Sequence, residues 1–217
     1  MRFTNSLDYI IKDNFEIRIL RFLVLNKSRF SGREIARKTN ISAPQCHKKL
    51  KQLANEGLVE YEEIGNSMAY SINNGNYLVE VLFEPLFKKE RHLIRLVAHE
   101  FVKKIKAPVL SVILFGSLAR GKEKPESDID WLIIVKDEET LNKVKEEINS
   151  AEKQITLVTG NDVSSFLMTA KQFRNRYIHE SWPPIKDIKK HGEFIYGKSL
   201  SEVLKIGSKA GKDSVGK

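Results

Sequence analysis

The spacing of apolar residues changes along this chain of 217 residues. Residues 15–25, Phe-Glu-Ile-Arg-Ile-Leu-Arg-Phe-Leu-Val-Leu, have the apolar density of a core helix. The runs 109–115 and 131–135 are short, continuous and rich in Val, Ile and Leu, which is typical of buried strands. The pattern therefore predicts an α+β fold class, with helices first and a sheet later in the chain.

Two capping-box patterns lie close together in the first part of the chain. Ser-Gly-Arg-Glu at 31–34 opens a predicted helix over 32–39, and Ser-Ala-Pro-Gln at 42–45 opens a second one. Residues 40–42 between them leave room only for a tight turn. Two capped helices joined in this way are typical of a helix-turn-helix.

The second of these helices has one apolar and one polar face. Cys46, Leu50, Leu53 and Ala54 are spaced for a single stripe that faces the core. The opposite face carries amide, imidazole and ammonium groups, which contact base edges and phosphates in protein–DNA complexes. The candidate DNA-binding residues are therefore Gln45, His47, Lys48, Lys49 and Gln52.

Residues 58–64 and 68–72 flank a Gly-Asn-Ser turn at 65–67, which predicts a β-hairpin. Helix, helix-turn-helix and hairpin in this order, over about residues 8–73, resemble the winged helix domain of small bacterial and archaeal transcriptional regulators. The resemblance implies DNA as a partner; a winged helix used only for dimerisation or protein contact is the alternative. Because such regulators frequently act as dimers on two half-sites, a homodimer is also open.

The predicted hairpin is acidic. Glu60, Glu62 and Glu63 would repel the phosphates of DNA if they faced it. We therefore expect only the tip of the wing, Asn66 and Ser67, to approach DNA.

A glycine-serine pair and two aspartates connect the two apolar runs. Gly116 and Ser117 end the first run, where a glycine permits a sharp turn and free N–H groups attract phosphate oxygens. Asp128 and Asp130 begin the second run, and alternation along a strand points both carboxylates the same way. Two carboxylates on one face form a hard-oxygen site suited to Mg²⁺.

The pattern Gly-Ser, ten residues, Asp-x-Asp, with Ala-Arg-Gly at 119–121 and Ser127, resembles the minimal nucleotidyltransferases of the DNA polymerase beta superfamily. The resemblance implies that an acceptor oxygen attacks the alpha phosphorus of an NTP, with loss of pyrophosphate. Two divalent ions in such enzymes stabilise the attacking and leaving oxygens.

The resemblance also implies a role for each residue of the motif. Asp128 and Asp130 are the catalytic and metal-binding residues, which hold Mg²⁺ (or Mn²⁺). Gly116 and Ser117 bind the triphosphate, and Arg120 adds positive charge beside it.

The chain departs from this family at a third carboxylate, which competent members carry on a following strand. We place that strand at 154–158, after a helix over 138–153. Thr156 then stands at the position of the third carboxylate. A hydroxyl is a weak metal ligand and a poor base. Asp162 replaces the missing acid only if the chain bends back.

The expected domain order follows from these motifs. We expect a winged helix domain over 1–75, a linker and long helix over 76–106, and a nucleotidyltransferase-like domain over 107–204. The last of these is a small mixed sheet flanked by helices. We expect the Gly-, Ser- and Lys-rich residues 205–217 to form a flexible tail.

Three further elements complete the expected fold. A long helix begins at Pro85 and ends near Lys106. A helix over 163–177 is broken by Trp-Pro-Pro at 182–184, and residues 193–197 form a short last strand. The apolar face of the long helix includes Leu86, Leu93, Leu96, Val97 and Phe101.

Composition narrows the classes of partner. A net charge of +9, from 37 basic and 28 acidic residues, favours an anionic partner without identifying it. No apolar stretch approaches the roughly 20 residues that span a bilayer, and the first residues lack a signal-peptide core. We therefore expect no membrane contact and a cytoplasmic protein. The single cysteine, Cys46, agrees with a reducing compartment.

Two hypotheses about function follow. In the first, a DNA-binding protein carries a Mg²⁺-dependent nucleotidyltransferase that transfers a nucleoside monophosphate from NTP to an unknown acceptor. A protein acceptor fits, since minimal nucleotidyltransferases include toxin-neutralising enzymes that adenylylate a partner toxin. In the second, a winged helix transcriptional regulator carries a nucleotidyltransferase-like domain as a non-catalytic nucleotide sensor or scaffold. The two aspartates favour the first hypothesis and Thr156 favours the second.

Overall fold

The structure, a computed structural model, describes residues 1–5, 7–8, 14–65 and 67–212. The chain divides into two compact units, Thr4–His92 and Leu93–Lys217, and Met1–Phe3 belongs to the second. We call them the N-terminal unit and the C-terminal unit. The division lies inside the range 76–106 that we expected to contain a linker and a long helix.

The N-terminal unit consists of helices and a small antiparallel sheet. Its strands are ordered β1-β3-β2. Helix, helix-turn-helix and hairpin follow one another as predicted, which is the winged helix arrangement. The elements are α1 (Phe15–Asn26), β1 (Phe30–Ser31), α2 (Gly32–Thr39), α3 (Ala43–Asn55), β2 (Val59–Ile64), β3 (Ser67–Ile72), a π-helical turn (Val79–Phe83) and α4 (Glu84–Arg91).

Local caps shape the helix-turn-helix. Ser31 and Glu34 form the predicted capping box, and α2 has its predicted bounds. Asn40 ends α2 in the left-handed conformation, with a φ of 53°, so the chain turns at once toward α3. The second predicted capping box is wrong, because the Ser42 hydroxyl donates to the Gln45 side-chain oxygen at 2.9 Å and caps no N–H of α3.

The apolar stripe of α3 lies in the core, as predicted. Cys46 and Leu50 are fully buried, Leu53 is nearly so, and Ala54 is partly buried. Burial raises the pKa of the Cys46 thiol to about 11, so the thiol is protonated at neutral pH. Cys46 is therefore a structural residue of the winged helix core.

The single helix predicted over residues 85–106 is wrong. His92, with φ −107° and ψ 14°, separates α4 from the next helix. The apolar face also differs, because Phe87 and not Leu86 is fully buried, and Leu96 is 46% exposed. The other members of the predicted face lie against the core of the C-terminal unit: Leu93, Val97 and Phe101.

The C-terminal unit is built on a mixed four-stranded sheet of order β6-β5-β4-β7. Strands β5 and β6 are parallel, and the other pairs are antiparallel. The elements are α5 (Leu93–Val102), β4 (Val109–Leu114), α6 (Gly116–Ala119), β5 (Ile129–Val135), α7 (Glu138–Thr159), β6 (Val163–Thr169), α8 (Ala170–His179), α9 (Pro184–His191), β7 (Glu193–Gly197) and α10 (Leu200–Lys212).

Helices cover both faces of this sheet. Trp131 and Ile133 of β5 pack in a core with residues of α5 and α7. Leu132 and Ile134 point the other way, into a core with residues of α8, α9 and α10. Because side chains alternate along a strand, Asp130 shares the second face. Its carboxylate therefore points to the side of the sheet where α8 and α9 lie.

The strand predicted at 154–158 is wrong. Helix α7, predicted over 138–153, continues to Thr159 because Ile155 extends its buried stripe, and Gly160 ends it with a φ of 72°. The third strand is instead β6. It occupies the first half of residues 163–177, a segment that we expected to be wholly helical.

The expectation of a flexible tail from residue 205 is also wrong over most of its length. Helix α10 continues to Lys212. Val203 is fully buried, and a Cβ built on Gly207 would lie 2.4 Å from the carbonyl oxygen of Ala170 in α8. Helix α10 therefore packs closely on α8 at Gly207, and residues 213–217 lie outside the described part of the chain.

In the described part of the chain, no helix is both long enough and apolar enough to cross a membrane.

Candidate functional site

The glycine-serine turn follows the end of β4. Phe115 is extended, and its N–H donates to the Asp130 carbonyl oxygen at 3.0 Å, which holds the turn beside β5. Gly116 has a φ of 76°, a conformation that glycine adopts without strain. Gly116 and Ser117 then open the short helix α6, so their N–H groups lie at its N-terminal end.

Asp130 lies directly against Gly116. A Cβ built on Gly116 would be 2.2 Å from Asp130 Oδ2 and 3.0 Å from Asp130 Cγ. No larger residue at position 116 leaves room for this carboxylate. The structure therefore brings together the glycine-serine turn and one of the two aspartates, as the sequence motif predicts.

Asp128 and Asp130 influence each other electrostatically. Asp130 is half-buried and Asp128, one residue before β5, is exposed. Burial raises the pKa of Asp130, and the negative charge of Asp128 raises it further, while Arg120 acts in the opposite direction. A carboxylate whose ionisation is opposed by burial and by a neighbouring negative charge favours a cation beside it.

Arg120 ends α6 and reaches a third aspartate. Its Nη1 donates to Asp187 Oδ2 at 2.9 Å, and the Gly116 N–H donates to the same oxygen at 3.0 Å. The charge of Asp187 also contributes to the raised pKa of Asp130. Asp187 lies on α9, and sequence reasoning missed it. The one feature of the sequence that distinguishes Asp187 is that it is the only acidic residue in α9.

Thr156 does not lie on the strand beside Asp130, where we expected it to replace the third carboxylate. Thr156 is on α7, where it lines a surface groove with Glu152 and Asp162. Strand β6 runs beside β5, and in its parallel register Ser164 is the partner of Asp130. Neither Thr156 nor Ser164 supplies a carboxylate. Among the described residues, no three or more His, Cys, Asp or Glu side chains lie together in a group able to hold a metal ion.

An aromatic cluster follows Ser164 on the same face of the sheet. The Phe166 ring centroid is 5.6 Å from that of Phe115 and 5.4 Å from that of Trp182. The Arg176 guanidinium lies 5.8 Å from the centroid of Trp182. Strand β6 therefore places the Ser164 hydroxyl and the Phe166 ring, and no carboxylate, on the face that carries Asp130.

The candidate DNA-binding residues all lie on α3, and most point outward. The exposed members are Gln45, His47, Lys48 and Gln52. Lys49 is partly buried, and its Nζ lies 2.5 Å from a carboxylate oxygen of Glu16 on α1. Lys49 thus joins two helices of the N-terminal unit.

The wing is acidic, as predicted. Glu60, Glu62 and Glu63 are exposed on β2, and Glu62 is paired with Arg29 at 2.5 Å. Ser67 begins β3. Asn66, the other residue of the predicted tip, lies outside the described residues.

Comparison with known families identifies both parts of the chain. Residues 94–195 match the family described as "Nucleotidyltransferase domain", and residues 12–60 match "Winged helix-turn-helix DNA-binding". The protein is therefore a fusion of an N-terminal winged helix domain with a nucleotidyltransferase domain, as the sequence motifs predict. No curated protein matches the chain in sequence.

Solved structures resemble parts of the chain. One, "Crystal structure of the toxin-antitoxin with AMP-PNP", is 12% identical with a TM-score of 0.34, over 55% of this chain and 86% of that one. A possible transcriptional regulatory protein (fragment 1-100) from Mycobacterium bovis is 21% identical with a TM-score of 0.27, over 46% of this chain and all of that one. The archaeal chromatin protein TrmBL2 is 17% identical with a TM-score of 0.28, over 86% of this chain and 78% of that one. These TM-scores are too low to support a functional argument.

Proposed function

We propose that this protein is a DNA-binding nucleotidyltransferase that transfers a nucleoside monophosphate from an NTP to an acceptor, with Mg²⁺ as its metal. The observation that carries the proposal is the contact between the Asp130 carboxylate and the left-handed Gly116 turn. A carboxylate beside an anion-binding turn brings metal ligand and phosphate ligand within reach of each other. A purely structural domain has no physical need for such a pair.

The donor set fits Mg²⁺. This ion is usually held by one or two carboxylates together with substrate phosphates. Asp130, and Asp128 whose charge acts on it, would supply hard oxygen donors of this kind. Burial, and then the negative charges of Asp128 and Asp187, raise the pKa of Asp130, and a divalent ion beside this carboxylate would stabilise its ionised form. When bound, the metal supplies charge neutralisation at the phosphates and at the leaving pyrophosphate.

The turn and its arginine account for phosphate binding. The Gly116 N–H lies at the start of α6 and donates to Asp187 Oδ2 at 3.0 Å, so it is directed at a position that an oxygen acceptor can occupy. Arg120 is exposed and approaches the same oxygen as the Gly116 N–H. A triphosphate oxygen at that position would receive two hydrogen bonds, one of them from a positively charged group. Ser117 follows within the same turn.

A second candidate function is a nucleotide-sensing DNA regulator without turnover. It is favoured by Ser164 and Phe166, which leave the strand beside Asp130 without an acid. In this case the winged helix would respond to a bound NTP that the second domain does not cleave.

One experiment separates the two functions. The full chain is incubated with Mg²⁺, each of ATP, GTP, CTP and UTP, and a cell extract that supplies acceptors, and pyrophosphate release is measured beside NTP binding. Transfer predicts pyrophosphate release that Asp130→Asn removes. Sensing predicts NTP binding with no release. Glu126→Gln is a matched control, since Glu126 is an exposed carboxylate in the loop that leads to Asp128. An absence of both binding and release would reject both functions.

A further inference from the structure

Asp187 accepts hydrogen bonds from the two groups that the proposed function assigns to phosphate binding. Its Oδ2 accepts from the Gly116 N–H at 3.0 Å and from Arg120 Nη1 at 2.9 Å. These are the two donors to which the proposed function assigns a triphosphate oxygen. We infer that Asp187 is an internal competitor of the triphosphate, and that an NTP binds only when the Asp187 carboxylate leaves Gly116 and Arg120. The inference rests on the proposed function and adds a control on the same site.

A single oxygen position explains the competition. The Gly116 amide has one hydrogen, which cannot make two short, linear hydrogen bonds at once. A carboxylate and a triphosphate are both negative, so their joint presence beside Asp130 would also cost Coulomb energy. Asp187 and the triphosphate therefore exclude each other both through geometry and through charge.

The fold holds Asp187 in this position. Ile185 and Ile188, on either side of it in α9, are buried in the core beneath the helix. The α9 backbone is thus fixed, and the Asp187 side chain, 24% exposed, can release its contacts by rotating about its own bonds. Removal of the competitor requires no movement of the helix.

Asp187 as an additional metal ligand is the alternative role. The described residues contain no group of three carboxylates able to hold a metal ion, although Asp128, Asp130 and Asp187 are neighbours. The two roles predict effects of opposite sign. Removal of a competitor strengthens phosphate binding, whereas removal of a metal ligand weakens it.

The test uses inorganic tripolyphosphate with Mg²⁺ as the probe and calorimetry on the full chain. We expect Asp187→Ala to bind tripolyphosphate about tenfold more tightly than the wild type, the effect of one lost charged competitor. Asp187→Asn, which keeps the shape but not the charge, should give a smaller gain. Glu180→Gln is the matched control, because Glu180, at the end of α8, pairs at 2.8 Å with Lys189 of α9, the helix that carries Asp187. It should leave the affinity unchanged.

The Gly116 amide resonance gives an independent readout. It should shift in Asp187→Ala, and in the wild type it should shift on addition of tripolyphosphate. Unchanged or weaker binding in both Asp187 variants would overturn the inference, and near-ultraviolet circular dichroism identifies a variant that has lost its fold. If both variants bind tripolyphosphate more tightly but no NTP releases pyrophosphate, the competition stands and the proposed transfer fails. If NTP is cleaved while affinities are unchanged, the transfer stands and the competition fails.

Discussion

Asp130 Oδ2 lies 2.2 Å from the position that a Cβ on Gly116 would occupy. The two residues are therefore coupled, because no side chain at 116 is compatible with the present position of the carboxylate. Gly116→Ala should displace Asp130 and reduce Mg²⁺-NTP binding at least about tenfold, since a metal site tolerates little displacement of its ligands.

Gly121→Ala is the control for backbone strain. Gly121 also has a left-handed φ, of 63°, but a Cβ there would meet no atom within 4 Å. Both substitutions strain the backbone, and only the one at Gly116 collides with a carboxylate. Equal losses of calorimetric NTP affinity in the two variants would contradict the role given to the Gly116–Asp130 contact.

A carboxylate added at Ser164 should increase turnover. Ser164 is the register partner of Asp130 on the parallel strand β6, so its side chain lies on the same face. Ser164→Asp should therefore raise the rate of pyrophosphate release with Mg²⁺ by about tenfold or more, as one added metal ligand or base permits. Thr156→Asp, on α7, should leave the rate unchanged. A higher rate of pyrophosphate release with Thr156→Asp, and not with Ser164→Asp, would show that position 164 is the wrong place for the added carboxylate.

Lys48 and Lys49 should affect DNA binding differently. Lys48 is exposed, whereas Lys49 is paired with Glu16. Lys48→Ala should lower the slope of log K against log salt by about one for a phosphate contact. Lys49→Ala should lower it less. Filter binding to a random-sequence duplex over a salt series measures both slopes, with Lys145→Ala on α7 as the control. Equal slopes for wild type and Lys48→Ala would show that Lys48 contacts no phosphate, and would contradict the assignment of α3 to the DNA interface.

Glu84 should make the stability of the N-terminal unit depend on pH. Hydrogen bonds from Lys27 and then Lys88 lower the pKa of Glu84 to about 2. A carboxylate with a lowered folded-state pKa stabilises the fold above its unfolded pKa, about 4.3, and loses that contribution as the pH falls through 2.

Hydrogen exchange of α4 amides gives the test for Glu84. At pH 6, Glu84→Gln should show less protection than the wild type, and the difference should shrink between pH 4.3 and pH 2. The effect should be small and should weaken in high salt, because Lys27 and Lys88 are 50% and 58% exposed. A difference that persists at pH 2 would mean that Glu84 acts through packing.

Gly207→Ala should destabilise the C-terminal unit. The added Cβ would lie 2.4 Å from the Ala170 carbonyl oxygen and 2.9 Å from Arg174 Cβ, and one of the two helices would have to move. We expect a loss of about 1–3 kcal/mol in unfolding free energy, as for other overpacked sites. Scanning calorimetry measures the loss, with Ser208→Ala at an exposed neighbouring position as control. No change would mean that Gly207 does not pack on α8 in solution.

Local signals in the sequence were sufficient for the short elements. Helix α2 has its predicted bounds, because Ser31 and Glu34 determine its start and Asn40 its end within one short segment. Strand β7 also occupies its predicted residues 193–197. The Gly-Ser and Asp-x-Asp motif identified the nucleotidyltransferase domain because its spacing reflects a strand, a turn and a second strand.

Other features depend on contacts between distant parts of the chain. The apolar residues at 154–158 fit a strand as well as a helix, and only packing of Ile155 in the sheet core selects the helix. Asp187 meets Gly116 across 71 positions of sequence. No local pattern records such a contact, so the third aspartate of the site emerges only from the folded chain.

Both tryptophans of the chain, Trp131 and Trp182, belong to the C-terminal unit. Trp131 is fully buried and donates to Ser165 at 2.7 Å, whereas Trp182 lies beside Phe166 on the face that carries Asp130. Tryptophan fluorescence, when selectively excited, therefore reports on the nucleotidyltransferase domain and not on the winged helix domain. Quenching by an added nucleotide would come from Trp182, and the emission of Trp131 would serve as an internal reference.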